Sequence, residues 1–192
     1  KKLKISFFKR AITVYKIIGK NFSLWISPIL IASFIIVLRI IVFISMIFDS
    51  IFFSFNKKLY KPIVIVGNPR SGTTFLQRFL VKHNCGSGSE LWQMIYPSII
   101  LQKILKPFLP LLEKISPAKH HSTEAHETSL KSVETDDVGI FFRYLDGFFL
   151  YGFFLCWSEK DLFNWVDPKI RDNSNRDFKW LASVWNRVLY IS

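Results

Sequence analysis

Cysteine is scarce in this sequence: Cys85 and Cys156 are the only two among 192 residues. They form no CxxC pair and no metal-ligand spacing, and two cysteines do not make a disulfide framework, so the redox compartment stays open. Histidine is nearly as sparse, and His120, His121 and His126 lack the spacing of a zinc-binding helix, so no metal is expected. There is no internal repeat and no low-complexity linker. A secretory signal peptide is disfavoured because the first apolar run is too long and has no small-residue cleavage site. The first residue is not Met, and Phe178 to Ser192 reads as a helix without a cap signal, so the sequence is expected to be part of a longer chain.

What is abundant is apolar surface and positive charge. Half of the residues are hydrophobic, the mean hydropathy is +0.25, and 26 Lys and Arg against 14 Asp and Glu give a formal charge of +12. That composition is too apolar for a globular interior alone to absorb. The basic residues crowd the start, at Lys1, Lys2, Lys4, Lys9, Arg10, Lys16 and Lys20. Within residues 3–18, Phe8, Ile12, Tyr15 and Ile18 recur at helical spacing with Lys4, Lys9, Arg10 and Lys16 as the expected wet side, which predicts a basic amphipathic helix.

From Phe22 to Phe55 the only charges are Arg39 and Asp49. A helix needs about 20 apolar residues to cross the hydrocarbon layer, so a membrane segment is predicted, either single-pass or re-entrant. Arg39 inside it costs roughly 2.5 to 3.5 kcal/mol on insertion scales, which the surrounding Ile, Phe, Leu and Val offset. The heavier amino-terminal charge favours a cytoplasmic amino terminus, although lysines at both ends leave the side of the remaining chain open. Because the basic residues lie beside this apolar segment, the expected partner is membrane lipid, and no nucleic acid is expected. The division that follows is residues 1–58, amphipathic helix plus membrane segment, and residues 59–192, the remainder.

At Pro62 the pattern changes to a short apolar, β-branched run, Pro62-Ile-Val-Ile-Val66, of the kind buried in a parallel sheet. Gly67-Asn-Pro-Arg-Ser-Gly-Thr-Thr74 follows at once, and then Phe75, Leu76, Phe79 and Leu80 at helical spacing. A loop between strand and helix aims backbone N–H groups and the positive helix end at one point, a preformed site for phosphate or sulfate. Gly67 lets the chain turn and Gly72 lets an anion approach the backbone, while Arg70 adds a charged fork and Ser71, Thr73 and Thr74 add hydroxyls. The spacing is that of a P-loop, yet Thr73 stands where the nucleotide-binding lysine belongs, which disfavours a magnesium-dependent kinase or NTPase. The remaining alternative is a noncatalytic membrane protein whose loop is only structural.

Pro62 to Thr74, with its Pro-Arg-Ser-Gly-Thr-Thr core, resembles the 5′-phosphosulfate loop of the sulfotransferase family, in its bacterial-type and tyrosylprotein branches. The resemblance implies a partial three-layer α/β fold of the P-loop NTPase kind, preceded by membrane-associated helices. It also implies 3′-phosphoadenosine-5′-phosphosulfate (PAPS) as co-substrate and a hydroxyl or amine acceptor on lipid, glycan, protein or small molecule. Asn68, Pro69, Arg70, Ser71, Gly72, Thr73 and Thr74 would bind the donor, with Arg70 also acting in transfer. Glu90 is the candidate acceptor base, equally readable as a helix-capping acid, and His121 a second candidate base. Glu134, Thr135, Asp136 and Asp137 read as a helix start. The family's 3′-phosphate site, a serine and an arginine, has no counterpart in these residues.

Overall fold

The computed structural model describes residues 3–55, 63–68, 71–116 and 129–191, and among them helices carry the architecture. In chain order they are α1 (Phe7–Phe22), α2 (Ser27–Phe52), α3 (Thr73–Lys82), α4 (Leu91–Ile95), α5 (Ile99–Leu105), α6 (Leu109–Ile115), α7 (Asp137–Tyr144), α8 (Phe148–Phe153) and α9 (Ser174–Ile191). Pro97, Pro107 and Pro110 behave as expected for helix breakers and starters, and Pro117 lies outside the described residues. Pro97 lies between α4 and α5, while Pro107 and Pro110 sit in first turns, where a missing N–H costs nothing.

The α/β three-layer expectation is overturned, because no strand is formed among the described residues. Glu90 and Val133 make only an isolated antiparallel bridge. Ile63 to Asn68 has no regular structure, and Val66 is 86% exposed where a central parallel strand would be buried. The reason is that a strand is stable only through its neighbours: its N–H and C=O groups need ladder partners. One β-branched run among helices has none.

The chain divides into two compact units, Lys1–Ile41 with Asp137–Leu181, and Val42–Asp136 with Ala182–Ser192. In the first, Val14 and Ile17 of α1 pack on Leu150 of α8 and on Leu155, with Phe141, Tyr151, Phe154 and Trp165 around them. Here the expectation that Arg10 lies on the wet side of α1 fails. The face of α1 turned inward carries Arg10, Val14 and Ile17, while Phe8 is 75% exposed. Arg10, only 4% exposed, is buried because its fork is satisfied. Nε donates to Leu145 O at 2.9 Å, Nη1 to Ile5 O at 2.6 Å and Nη2 to Tyr144 O at 3.0 Å. Two of these acceptors lie at the carboxyl end of α7, where carbonyls lack helical partners and the helix dipole is negative.

The same unit holds a buried carboxylate. Asp146 receives both terminal nitrogens of Arg171 at 2.6 and 2.7 Å and Nη1 of Arg176 at 2.8 Å, with Arg10 Nη2 at 3.7 Å. It sits where α7 and the following Phe148–Trp157 stretch meet at 72°. Those two pieces together are long and apolar enough for a broken span. An ionic cluster at their corner makes hydrocarbon a costly place for them, so among the described residues α2 is the candidate span.

In the second unit, Trp92, Leu109 and Leu130 form the core with Leu91, Ile95, Tyr96 and Leu112. Asp49, near the end of α2 and fully buried, accepts from Ser98 Oγ at 3.1 Å and from the backbone N–H groups of Ile99 and Ile100 at 2.9 and 3.1 Å. It thereby supplements the Ser98 cap of α5 from another element, and Arg187 Nε of α9 donates to it at 3.0 Å. As expected, α2 is long and apolar enough to cross a bilayer.

Candidate functional site

On either side of Pro69 and Arg70, the residues Gly67, Asn68, Ser71 and Gly72 leading into α3 are exposed. Ser71 N–H donates to Asn68 O at 3.1 Å, closing a turn across the loop. The backbone at Gly67 is so close to the far side that an added Cβ would lie 2.5 Å from Ser71 Oγ and 2.6 Å from Thr73 Cγ2. Gly72 holds φ +81°, the left-handed region that disfavours side chains, and from there the helix starts with Leu76 N–H donating to Gly72 O at 2.9 Å. Among the described residues no side chain caps α3. At its first turn Thr73 and Thr74 are half-buried and Ser71 and Gly72 exposed, and the first amides of a helix have no partner within it. Pro69, Arg70, His120, His121 and His126 lie outside the described residues.

The middle of this helix is fixed by contacts that sequence patterning did not anticipate. Arg78 Nε donates to Val133 O at 3.0 Å and Nη2 to the Glu134 carboxylate at 2.7 Å, while Gln77 Nε2 donates to Glu134 O at 3.3 Å. Glu134 is buried, and its carboxylate also accepts from Ser132 Oγ at 2.9 Å. The segment carrying it is clasped in turn to the start of α4: Glu134 N–H donates to Ser89 O, and Leu91 N–H to Ser132 O. Of the acidic group, Asp137 lies in the first turn of α7, as read from sequence, and burial raises its carboxyl above the ordinary range. Asp136 accepts from Trp185 Nε1 at 3.1 Å. His83 ends α3 with its ring 4.3 Å from that of Phe79.

Glu90 occupies the amino end of α4. Its carboxylate closes a capping box with Gln93, whose Oε1 accepts from Glu90 N–H at 2.9 Å, and it also accepts from Trp92 Nε1. The capping acid, one of the two readings open for it, is thus realised in this arrangement.

Among the described residues no cluster of three His, Cys, Asp or Glu side chains could hold a metal ion. The donor set at the loop fits a tetrahedral oxyanion: a glycine-lined turn, an uncapped helix start and three hydroxyls. Residues 62–150 match the family model described as Sulfotransferase family. That match begins at the loop's approach and extends beyond Asp146, and it supports a sulfotransferase family for this stretch. No curated protein and no solved structure matches the chain.

Proposed function

We propose that the chain carries the donor-binding loop of a membrane-associated sulfotransferase, which moves a sulfuryl group from PAPS to a hydroxyl or amine. The observation that carries this reading is the coincidence of the family match with an uncapped helix start behind a glycine-tightened turn. PAPS, when bound, supplies the sulfuryl group. The chain's own part is to position and neutralise. The amides from Gly72 to Thr74 and the hydroxyls of Ser71, Thr73 and Thr74 hold the 5′-phosphate end, and Arg70 adds a forked cation for charge that grows on the leaving oxygens. Glu90, with His121 as second candidate, takes the acceptor proton. Thr73 in the lysine position weighs against nucleotide triphosphate turnover.

The test is a binding titration of the full chain with 3′-phosphoadenosine-5′-phosphate beside ATP with magnesium. Magnesium-independent binding of the bisphosphate, weakened at least about tenfold by Arg70→Ala as expected for loss of a charged hydrogen bond, supports the assignment. Preference for ATP with magnesium overturns it in favour of the NTPase reading.

A further inference from the structure

The outward face of α1 has no role in the donor loop, and its composition is specific. Helical geometry puts Phe8, Ile12, Lys16, Lys9 and Lys20 within one arc of about 120°. All five are exposed. Phe8 and Ile12 form one edge of the arc and the three lysines the other. The opposite face, with Arg10, Val14 and Ile17, is locked into the unit core and the Asp146 cluster, so the fold itself fixes which face points out. The apolar edge does not end with the helix. Phe22, Leu24, Trp25 and Ile26 follow it, all exposed, and Ile29, Leu30, Ile31 and Phe34 continue it on α2. Trp25 packs over Gly19 and against Tyr15, which holds this turn in place.

The charge on this face is of one sign. No acidic residue precedes Asp49 in the sequence, whereas six lysines do. Lys9 lies over the Trp165 ring and Lys20 is 3.9 Å from a largely exposed Glu159, contacts too weak and wet to commit either ammonium. An apolar edge beside a lysine edge, with aromatic rings at the junction, is the arrangement that sits at the headgroup level of a bilayer.

We infer that α1 is an in-plane membrane contact that recognises anionic lipid. Phe8 and Ile12 enter the acyl boundary, and Lys9, Lys16 and Lys20 reach headgroup phosphates and carboxylates. The inference rests on the reading of α2 as a membrane segment and adds to it the orientation of α1 and the class of lipid.

The experiment uses the full chain with Cys85→Ser and Cys156→Ser, bearing an environment-sensitive fluorophore at Ile12→Cys or Phe34→Cys, in nanodiscs of phosphatidylcholine with or without phosphatidylserine. A lipid-borne quencher reports depth and a water-soluble quencher reports exposure. The expected result is lipid-borne quenching at position 34 in both nanodiscs. At position 12 it should be several-fold stronger with phosphatidylserine and lost on adding Lys9→Glu and Lys16→Glu. Quenching at 34 but not at 12 overturns the inference while leaving α2 in the membrane, and its absence at both positions overturns the membrane reading too. Equal quenching at 12 in both compositions rejects lipid-charge recognition. Shielding at 12 from both quenchers assigns the face to a protein partner and rejects the lipid. Phe8→Cys in place of Ile12→Cys repeats the measurement should the first variant misfold.

Discussion

A guanidinium as enclosed as that of Arg10 is tolerable because every edge of it meets an acceptor, and the same economy governs its neighbour Asp146. Burial alone raises the Asp146 carboxyl. The hydrogen bond from Arg171, the charges of Arg10 and Arg171 and the bond from Arg176 outweigh that and hold it below its ordinary value of 3.8. A carboxylate whose folded value is depressed contributes stability that is complete above its unfolded value and is lost as pH falls through the folded one. Thermal unfolding of the chain in detergent is therefore expected to shift downward as pH drops below about 4. Asp146→Asn should flatten that acid limb; an unchanged limb would show that Asp146 does not carry it. Glu90 poses a separable question at this scale, because capping and proton transfer need different things from it. In Glu90→Gln the side-chain oxygen still caps α4, so the melting temperature should fall by no more than about 1 kcal/mol of stability. Sulfuryl transfer by the complete enzyme should drop by about 10²- to 10⁴-fold if the carboxylate is the base. Full activity in that variant would reduce Glu90 to its cap.

Partners from remote elements hold the helices of this chain in place. The amino end of α5 is closed by Ser98 from within and Asp49 from outside, and the middle of α3 is pinned by Glu134 through Arg78. Asp49→Ala should cost about 3 to 5 kcal/mol, because it strands the buried charge of Arg187 as well as two amides of α5. Chemical denaturation of Asp49→Ala, Arg187→Met and the double variant measures the coupling. Additive losses would mean that the pair does not act as a unit. The existence of α1, α2 and α9, and the breaks around Pro97, Pro107 and Pro110, were legible because periodicity, apolar length and proline act locally. Which way α1 faces was not, since its inward side is decided by Asp146 and the carbonyls of Tyr144 and Leu145, more than 130 positions away in sequence. Asp49 was readable only as a charge in an apolar run, because its partners Ser98 and Arg187 are 49 and 138 positions away. At the loop, Gly67, Gly72 and the threonines announced an anion site by spacing. The clasp of Glu134 on Arg78 gave no local signal, and the acids around it read only as a helix start.

At the scale of the whole molecule, one strong β-type run predicts a sheet, yet Ile63, Val64 and Val66 are exposed with no ladder beside them among the described residues. Sheet formation is a property of several segments together, so one run could not establish it. The membrane expectation is different in kind, since the length and hydropathy of α2 belong to that helix alone. Arg39 joins the two kinds of argument. It stands at the middle of α2, and its Nε and Nη2 donate to Phe142 O at 3.0 and 2.6 Å, in the last turn of α7. If the middle of α2 lies in hydrocarbon, Arg39→Leu removes an insertion cost of roughly 2.5 to 3.5 kcal/mol and should raise the membrane-integrated fraction of the full chain. The same change leaves a carbonyl at the end of α7 without its donor, so the integrated protein should unfold at lower temperature by about 1 to 3 kcal/mol of stability. Alkaline extraction of membranes reads the first effect and thermal unfolding of the purified chain the second. More integration with less stability is expected of a helix that meets lipid on one side and polar backbone on the other. Unchanged integration would place the centre of α2 outside the hydrocarbon.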